Sequence, residues 1–177
     1  MIRLAEMSDL TEILRIYAHA REYMAEQGNP NQWGENKPPK ETLEQDIEKR
    51  QLYVCTKDNS IYGVFALIFG ADPTYARIER GNWKSAEPYG AIHRVAGDGT
   101  VKGVFAECLE YCKARSWHLR IDTHADNRIM QHCIEKNGFK RCGIIHIQDG
   151  TPRIAYEYME EQEEPCLRCA KIILSNG

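Results

Sequence analysis

Residues 117–145, WHLRIDTHADNRIMQHCIEKNGFKRCGII, read as strand, turn, helix, glycine stop and strand without a break, and no other stretch limits the fold so tightly. Trp117, Leu119, Ile121 and Thr123 alternate with His118, Arg120, Asp122 and His124, the period of a strand with two unlike faces. Asp126 is placed to cap a helix whose apolar residues Ile129, Met130, Cys133 and Ile134 share one side. Gly138 supplies a left-handed stop and Phe139 the apolar contact that follows one. Cys142, Ile144 and Ile145 then begin the next strand.

The remainder fits a single layered domain. A chain of 177 residues, 42% hydrophobic and 28% charged, can bury one sizeable core, which predicts one domain over residues 1–159 and a tail over 160–177. A net charge of -3 and a pI near 6.1 lack the basic excess of a protein that binds nucleic acid by neutralising phosphates. No stretch approaches the roughly 18 apolar residues of a membrane span. Met1, Ile2 and Arg3 lead straight toward a capped helix with no signal-peptide core, so the expectation is a cytoplasmic protein without nucleic-acid or membrane partners. The oligomeric state is not legible, which leaves a homodimer open. Five of the seven cysteines (Cys55, Cys108, Cys112, Cys133 and Cys142) occupy apolar positions and read as reduced core residues. Cys166 and Cys169 form a CxxC pair in the tail, but a structural zinc needs four ligands and no second pair completes the set, so no metal is expected.

Along the chain, residues 2–5 read as a short strand. Asp9 with Glu12 resembles a capping box, and Leu10, Ile13, Leu14, Tyr17 and Met24 mark a helix to about Gln27. Residues 28–39, GNPNQWGENKPP, are a loop in which Trp33 either packs on the core or walls a substrate pocket. A shorter helix over 40–50 turns Leu43 and Ile47 inward and presents a solvated charged face. Strands follow at 52–56 and 61–69 as a hairpin, then at 75–80 and 90–96, and finally at 144–148 and 153–159 around Asp149-Gly150-Thr151-Pro152. Helices and strands in this order describe a mixed sheet with helices on both faces.

Between the strand at 90–96 and a helix with stripe Val101, Val104, Phe105, Cys108, Leu109 and Cys112 lies Gly97-Asp98-Gly99-Thr100, followed by Lys102-Gly103. A glycine-rich turn that opens a helix exposes backbone N–H groups to an anion, and Lys102 adds a mobile positive charge. Read alone, the segment is equally a plain turn.

In this context, with Asn127 at the start of the later helix and Gly138-Phe139 at its end, the sequence resembles the GNAT N-acetyltransferase family. The resemblance covers most of residues 1–159 and rests on motifs between about 90 and 145. It implies a mixed α/β, mostly antiparallel sheet of six to seven strands. It also implies acetyl-CoA as cosubstrate and an amine of a small molecule, amino acid or peptide as acceptor. The pantetheine arm would pair with Ile92-His93-Arg94-Val95, and Asn127 would contact it. For the pyrophosphate, Arg94-Val95-Ala96-Gly97-Asp98-Gly99 fits the family loop literally but lies in a strand. Thr100-Val101-Lys102-Gly103-Val104-Phe105 sits at the helix start and is the preferred register, giving Gly99, Thr100, Lys102, Gly103 and Val104 as phosphate candidates, with Phe105 departing from the family pattern. Many members draw a proton from a Tyr seven residues after the Asn, where this chain has Ile134. The candidate catalytic groups are His93, His124 and Glu79, each with a bland reading as a solvated or hydrogen-bonded residue, and Trp33, Tyr23 and Tyr89 are the acceptor-pocket candidates. A GNAT-like module that binds acyl-CoA without transferring it, and a thiol- or metal-linked protein acting through Cys166 and Cys169, stand as alternatives.

Overall fold

The computed structural model describes residues 1–160; Cys166 and Cys169 lie outside the described residues. Seven strands form one sheet: β1 Ile2–Leu4, β2 Leu52–Lys57, β3 Ser60–Phe69, β4 Gly90–Gly97, β5 His118–Thr123, β6 Lys140–His146 and β7 Pro152–Met159, in the spatial order β1-β2-β3-β4-β5-β7-β6. Among the described strands β4 and β5 are the parallel neighbours, and the other adjacent pairs are antiparallel. Helices α1 Leu10–Glu26 and α2 Lys40–Glu48 bury one face of the sheet, and α3 Val104–Lys113 and α4 Arg128–Lys136 bury the other. This is the mixed, mostly antiparallel α/β sheet that the sequence led us to expect.

Local chemistry accounts for the elements. In α1 the buried residues Leu10, Ile13, Ile16, Tyr17 and Ala20 recur at the three-and-four spacing of one helix face. The β2–β3 hairpin turns on Asp58 and Asn59 with φ of 50° and 64°, the double left-handed geometry of a two-residue turn whose twist suits the flanking strands. At the end of α4 Gly138 adopts φ 92° and Phe139 is buried behind it, as the sequence implies.

Other expectations are corrected. Residues 75–80 are not a strand: Pro73–Tyr75 is a 3₁₀ turn, and the segment touches the sheet through a single bridge between Glu79 and Ile144. The capping box at Asp9 faces backward, with the Asp9 carboxylate accepting from the Glu6 N–H at 2.8 Å and pairing with Arg3. Helix α4 is capped by Asn127, whose Oδ1 accepts from the Met130 N–H at 3.0 Å, rather than by Asp126, and Ile129 on that helix is exposed. Helix α3 starts at Val104, three residues later than its apolar stripe predicts, because Gly103 takes φ 83° as its N-cap. Asp46 on the supposedly solvated face of α2 is buried and pairs with Arg94 at 2.6 Å. Strand β5 lacks a wet face: His118 and Arg120 are buried beneath residues 81–89.

Residues 81–89 can lie flat on the sheet because Gly81 meets β6 closely, where an added Cβ would stand 1.9 Å from the Cys142 carbonyl oxygen. Gly81→Ala is expected to push this segment off the sheet at a cost of about 1–3 kcal/mol in urea unfolding. A change below about 0.5 kcal/mol, the size of an ordinary surface substitution, would contradict the close packing.

Candidate active site

Strands β4 and β5 pair only over Gly90–Ile92 against Leu119–Ile121, yet β4 runs on to Gly97 and β5 to Thr123. Beyond that point they part. A bulge in β4 contributes to the divergence: Val64 pairs with Ala96 and Ala66 with His93, so Arg94 and Val95 together oppose one residue of β3. Arg94 sits at φ 56°, a left-handed conformation that an L side chain adopts at a cost of about 1–2 kcal/mol. Two contacts hold it there. The Tyr17 hydroxyl donates to the Arg94 carbonyl at 2.8 Å, and the Arg94 guanidinium pairs with Asp46. Burial pushes the Tyr17 hydroxyl far above its ordinary range, so it remains a donor.

The divergence opens a cavity of about 1100 Å³, lined by Ile92, His93, Arg94 and Val95 from β4 and by Ile121 and Asp122 from β5. Trp33 and Met130 add apolar wall, and Trp33 packs edge-on against Tyr17 at 5.5 Å. Residues 28–39 close one side. The Gln32 side-chain oxygen accepts from Asn29 and Asn127 at 2.9 Å each, and its carbonyl accepts from Arg153 at 3.0 Å. Lys37 pairs with Asp149 in the β6–β7 turn.

His93 is the polar centre of this cavity. Its Nε2 lies 2.9 Å from Asp72 Oδ2, and its Nδ1 faces Asp122 Oδ1 across 3.8 Å. Burial works against the Asp72 charge, but hydrogen bonds from His93 and Thr74 outweigh it and hold the carboxyl at about 2. Asp72 is therefore an acceptor at neutral pH, which fixes the imidazole proton on Nε2 and leaves Nδ1 as the basic nitrogen. The Tyr75 hydroxyl, raised well above its usual range first by burial and then by Asp122, donates to Asp122 Oδ1 at 2.8 Å. Arg153 Nε stands 3.9 Å from the other Asp122 oxygen.

Of the residues singled out from sequence, His93, Arg94, Val95 and Trp33 line the cavity. Gly99, Thr100, Lys102, Gly103 and Val104 occupy the β4–α3 loop and the start of α3 and are not among the residues that line the cavity. Asp98 occupies the same loop, accepting from the Thr100 N–H at 2.9 Å while pairing with Arg15. Asn127 spends its amide on capping α4 and on Gln32. Glu79, expected on a strand, sits in the 76–89 segment, paired with Arg77 and apart from the cavity lining. His124 is held at the β5–α4 turn by Asp126, Tyr23 is exposed on α1, and Tyr89 packs on Tyr75 and His118. Ile134 is fully buried in the core between the sheet and α4. Sequence reasoning missed Asp72, Tyr75, Asp122 and Arg153. Asp122 carried a faint signal, being in register with His118 and Arg120 on one side of β5.

That side of β5 holds a second polar group. Glu157 Oε1 accepts from His118 Nε2 at 2.7 Å and Arg120 Nε at 3.0 Å, and all three residues are nearly inaccessible to solvent. Trp83 and Tyr89 sandwich the Arg120 guanidinium, each ring centre 4.0 Å away. The cluster fastens residues 83–89 over β5. Burial raises the nearby Cys142 thiol to about 11 and the Cys112 thiol to about 12, consistent with inert core thiols.

A parallel pair thus splays within an otherwise antiparallel sheet, and the helix that follows β4 opens on a glycine. No family model matches the sequence, and no curated protein matches it. Solved structures do. An acetyltransferase of the GNAT family from Streptococcus agalactiae matches with a TM-score of 0.80 and 27% identity, over 92% of this chain and 96% of its own. A Staphylococcus aureus Mu50 protein assigned as an acetyltransferase matches with a TM-score of 0.65 and 29% identity, over 90% of this chain and 98% of its own. A Salmonella typhimurium protein solved with acetyl-CoA matches in fold with a TM-score of 0.57 and 14% identity, over 93% of this chain and 96% of its own. The chain belongs to the GNAT superfamily. No described helix is long and apolar enough to cross a membrane.

Proposed function

We propose that the protein transfers an acetyl group from acetyl-CoA to a primary amine, with His93 as the base that deprotonates the acceptor. The observation that carries this reading is the position of His93: its Nε2 is fixed by Asp72 and its Nδ1 faces the cavity at the point where β4 and β5 part. The uncovered β4 edge offers an extended arm a strand to lie against. The N-terminus of α3 has no side-chain cap, so its N–H groups and Lys102 are available to phosphate. Asn127 would have to exchange Gln32 for the arm to contact it.

An ammonium is not a nucleophile, so the acceptor must lose a proton first. His93 Nδ1 takes that proton. The C–N bond then forms as the C–S bond breaks, and the second nitrogen proton goes to the departing thiolate, through solvent or a residue other than Ile134. Because Ile134 is buried and has no hydroxyl, binding of acyl-CoA without transfer is the second reading.

Calorimetry with acetyl-CoA tests the first requirement. Binding is expected, weakened about 2- to 5-fold by Lys102→Ala, the effect of one exposed ion pair. A wild-type protein that binds no acetyl-CoA overturns the reading. Turnover of any amine in an acceptor screen decides between transfer and binding alone.

A further inference from the structure

Resting on that reading, we infer that the acceptor enters as an ammonium ion held between Asp122 and His93, and that it carries no carboxylate beside its nitrogen, which excludes free α-amino acids. Asp122 Oδ1 and His93 Nδ1 face each other across 3.8 Å, too far for a direct hydrogen bond and wide enough for one nitrogen to contact both. The geometry suits a donor with several N–H bonds: one to the carboxylate, one to the imidazole lone pair. Tyr75 donates to the same Asp122 oxygen and keeps the carboxylate pointed at the gap.

The surroundings exclude an anion. Asp72 and Asp122 stand on the two sides of the His93 ring, so a carboxylate one carbon from a nitrogen held at Asp122 would sit in the combined negative field of the two. Arg153 is the nearby cation that could offset this, but it is spent elsewhere. Its Nη2 donates to the Gln32 carbonyl and its Nη1 to the Pro152 carbonyl, its Nε faces Asp122, and its side chain is 5% exposed. Lys37 is paired with Asp149, and Arg94 with Asp46. Ile68, Ile121, Trp33 and Met130 supply apolar wall to the same cavity and suit an apolar stem.

Butylamine, norvaline and butanol separate these demands, since norvaline is butylamine with a carboxylate on the carbon that bears nitrogen and butanol is its uncharged counterpart. Each is titrated into protein saturated with coenzyme A, and binding is read from the His93 ring signals in NMR of histidine-labelled protein, assigned with His93→Gln. Butylamine is expected to bind at least about 10-fold more tightly than either analogue, as like-charge contacts and an unpaired carboxylate both disfavour the alternatives. Asp122→Asn should bring butylamine and butanol within about 3-fold of each other, with norvaline still disfavoured by Asp72, whereas Tyr75→Phe, which keeps the charge, should preserve the butylamine preference. Norvaline binding as tightly as butylamine to the wild type overturns the proposal with no variant needed, and so does a folded Asp122→Asn protein that keeps the preference for butylamine over butanol. Coenzyme A binding is measured in the same samples; its absence refutes acyl transfer, while the amine preference, read separately from the wild-type ring signals, still stands or falls by itself.

Discussion

Replacing Glu157 with alanine is expected to destabilise the protein by about 3–5 kcal/mol, because the substitution leaves the buried Arg120 guanidinium without a carboxylate and the buried His118 ring without its hydrogen-bond partner. Arg120 is 5% exposed and His118 fully enclosed, and Glu157 Oε1 is shared between them while Oε2 accepts from the Lys84 N–H. Removing the carboxylate therefore uncouples residues 83–89 from β5 as well as stranding Arg120. A loss of this size is a large share of the ~5–15 kcal/mol that a domain commands. Urea unfolding followed by far-UV circular dichroism gives the difference, and Trp83 fluorescence reports whether the covering segment lifts. Glu157→Gln keeps an acceptor for His118 or Arg120 and should cost less than Glu157→Ala. If both variants unfold within about 1 kcal/mol of the wild type, the cluster is not what fastens the segment.

The same cluster marks where the sequence stops being readable. Alternation along β5 correctly separates Leu119 and Ile121 from His118, Arg120 and Asp122, and the glycine stop and following strand are found where Gly138 and Phe139 put them. The alternation also implies water on the polar side, and there the inference fails. Residues 81–89 cover His118 and Arg120 on that side, and pattern reasoning has no way to see a loop supply Trp83, Tyr89 and the Pro88 carbonyl as partners for two polar side chains. Residues 75–80 mislead for the opposite reason: Tyr75, Ile78 and their neighbours look like a strand, but β6 offers this segment only the Glu79–Ile144 bridge. His93 was legible because it stands on β4, a strand with a strong local signal. Its partners Asp72, Tyr75 and Asp122, and the Arg153 that faces Asp122, come from separate parts of the chain, and their convergence is set by the sheet order. Asn127 was found by position, but its side chain serves as cap and as a ligand for Gln32, contacts that no spacing rule anticipates.

His93→Gln is expected to lower kcat for acetyl transfer by about 10²- to 10⁴-fold, the contribution of a positioned general base. The reasoning starts from the two ring nitrogens. Asp72, held at about 2, remains an acceptor throughout the neutral range, so in the neutral ring the proton sits on Nε2 and Nδ1 carries the lone pair. Glutamine can still donate to Asp72 from its amide, which preserves the packing, but neither of its polar atoms can accept and retain a proton near neutrality. Affinity for acetyl-CoA should change by no more than about 2-fold, because in the proposed binding mode the arm lies against the β4 backbone and not the imidazole. Asp72→Asn supplies a graded comparison: it leaves the base present but frees the tautomer and removes the charge that would stabilise the imidazolium, so kcat should fall by less than in His93→Gln while acetyl-CoA still binds. A base acting through an oriented tautomer requires that order of effects. Equal kcat in the wild type and His93→Gln, with an acceptor that the wild type acetylates, would remove His93 from the chemistry and return it to the role of a hydrogen-bonded wall residue.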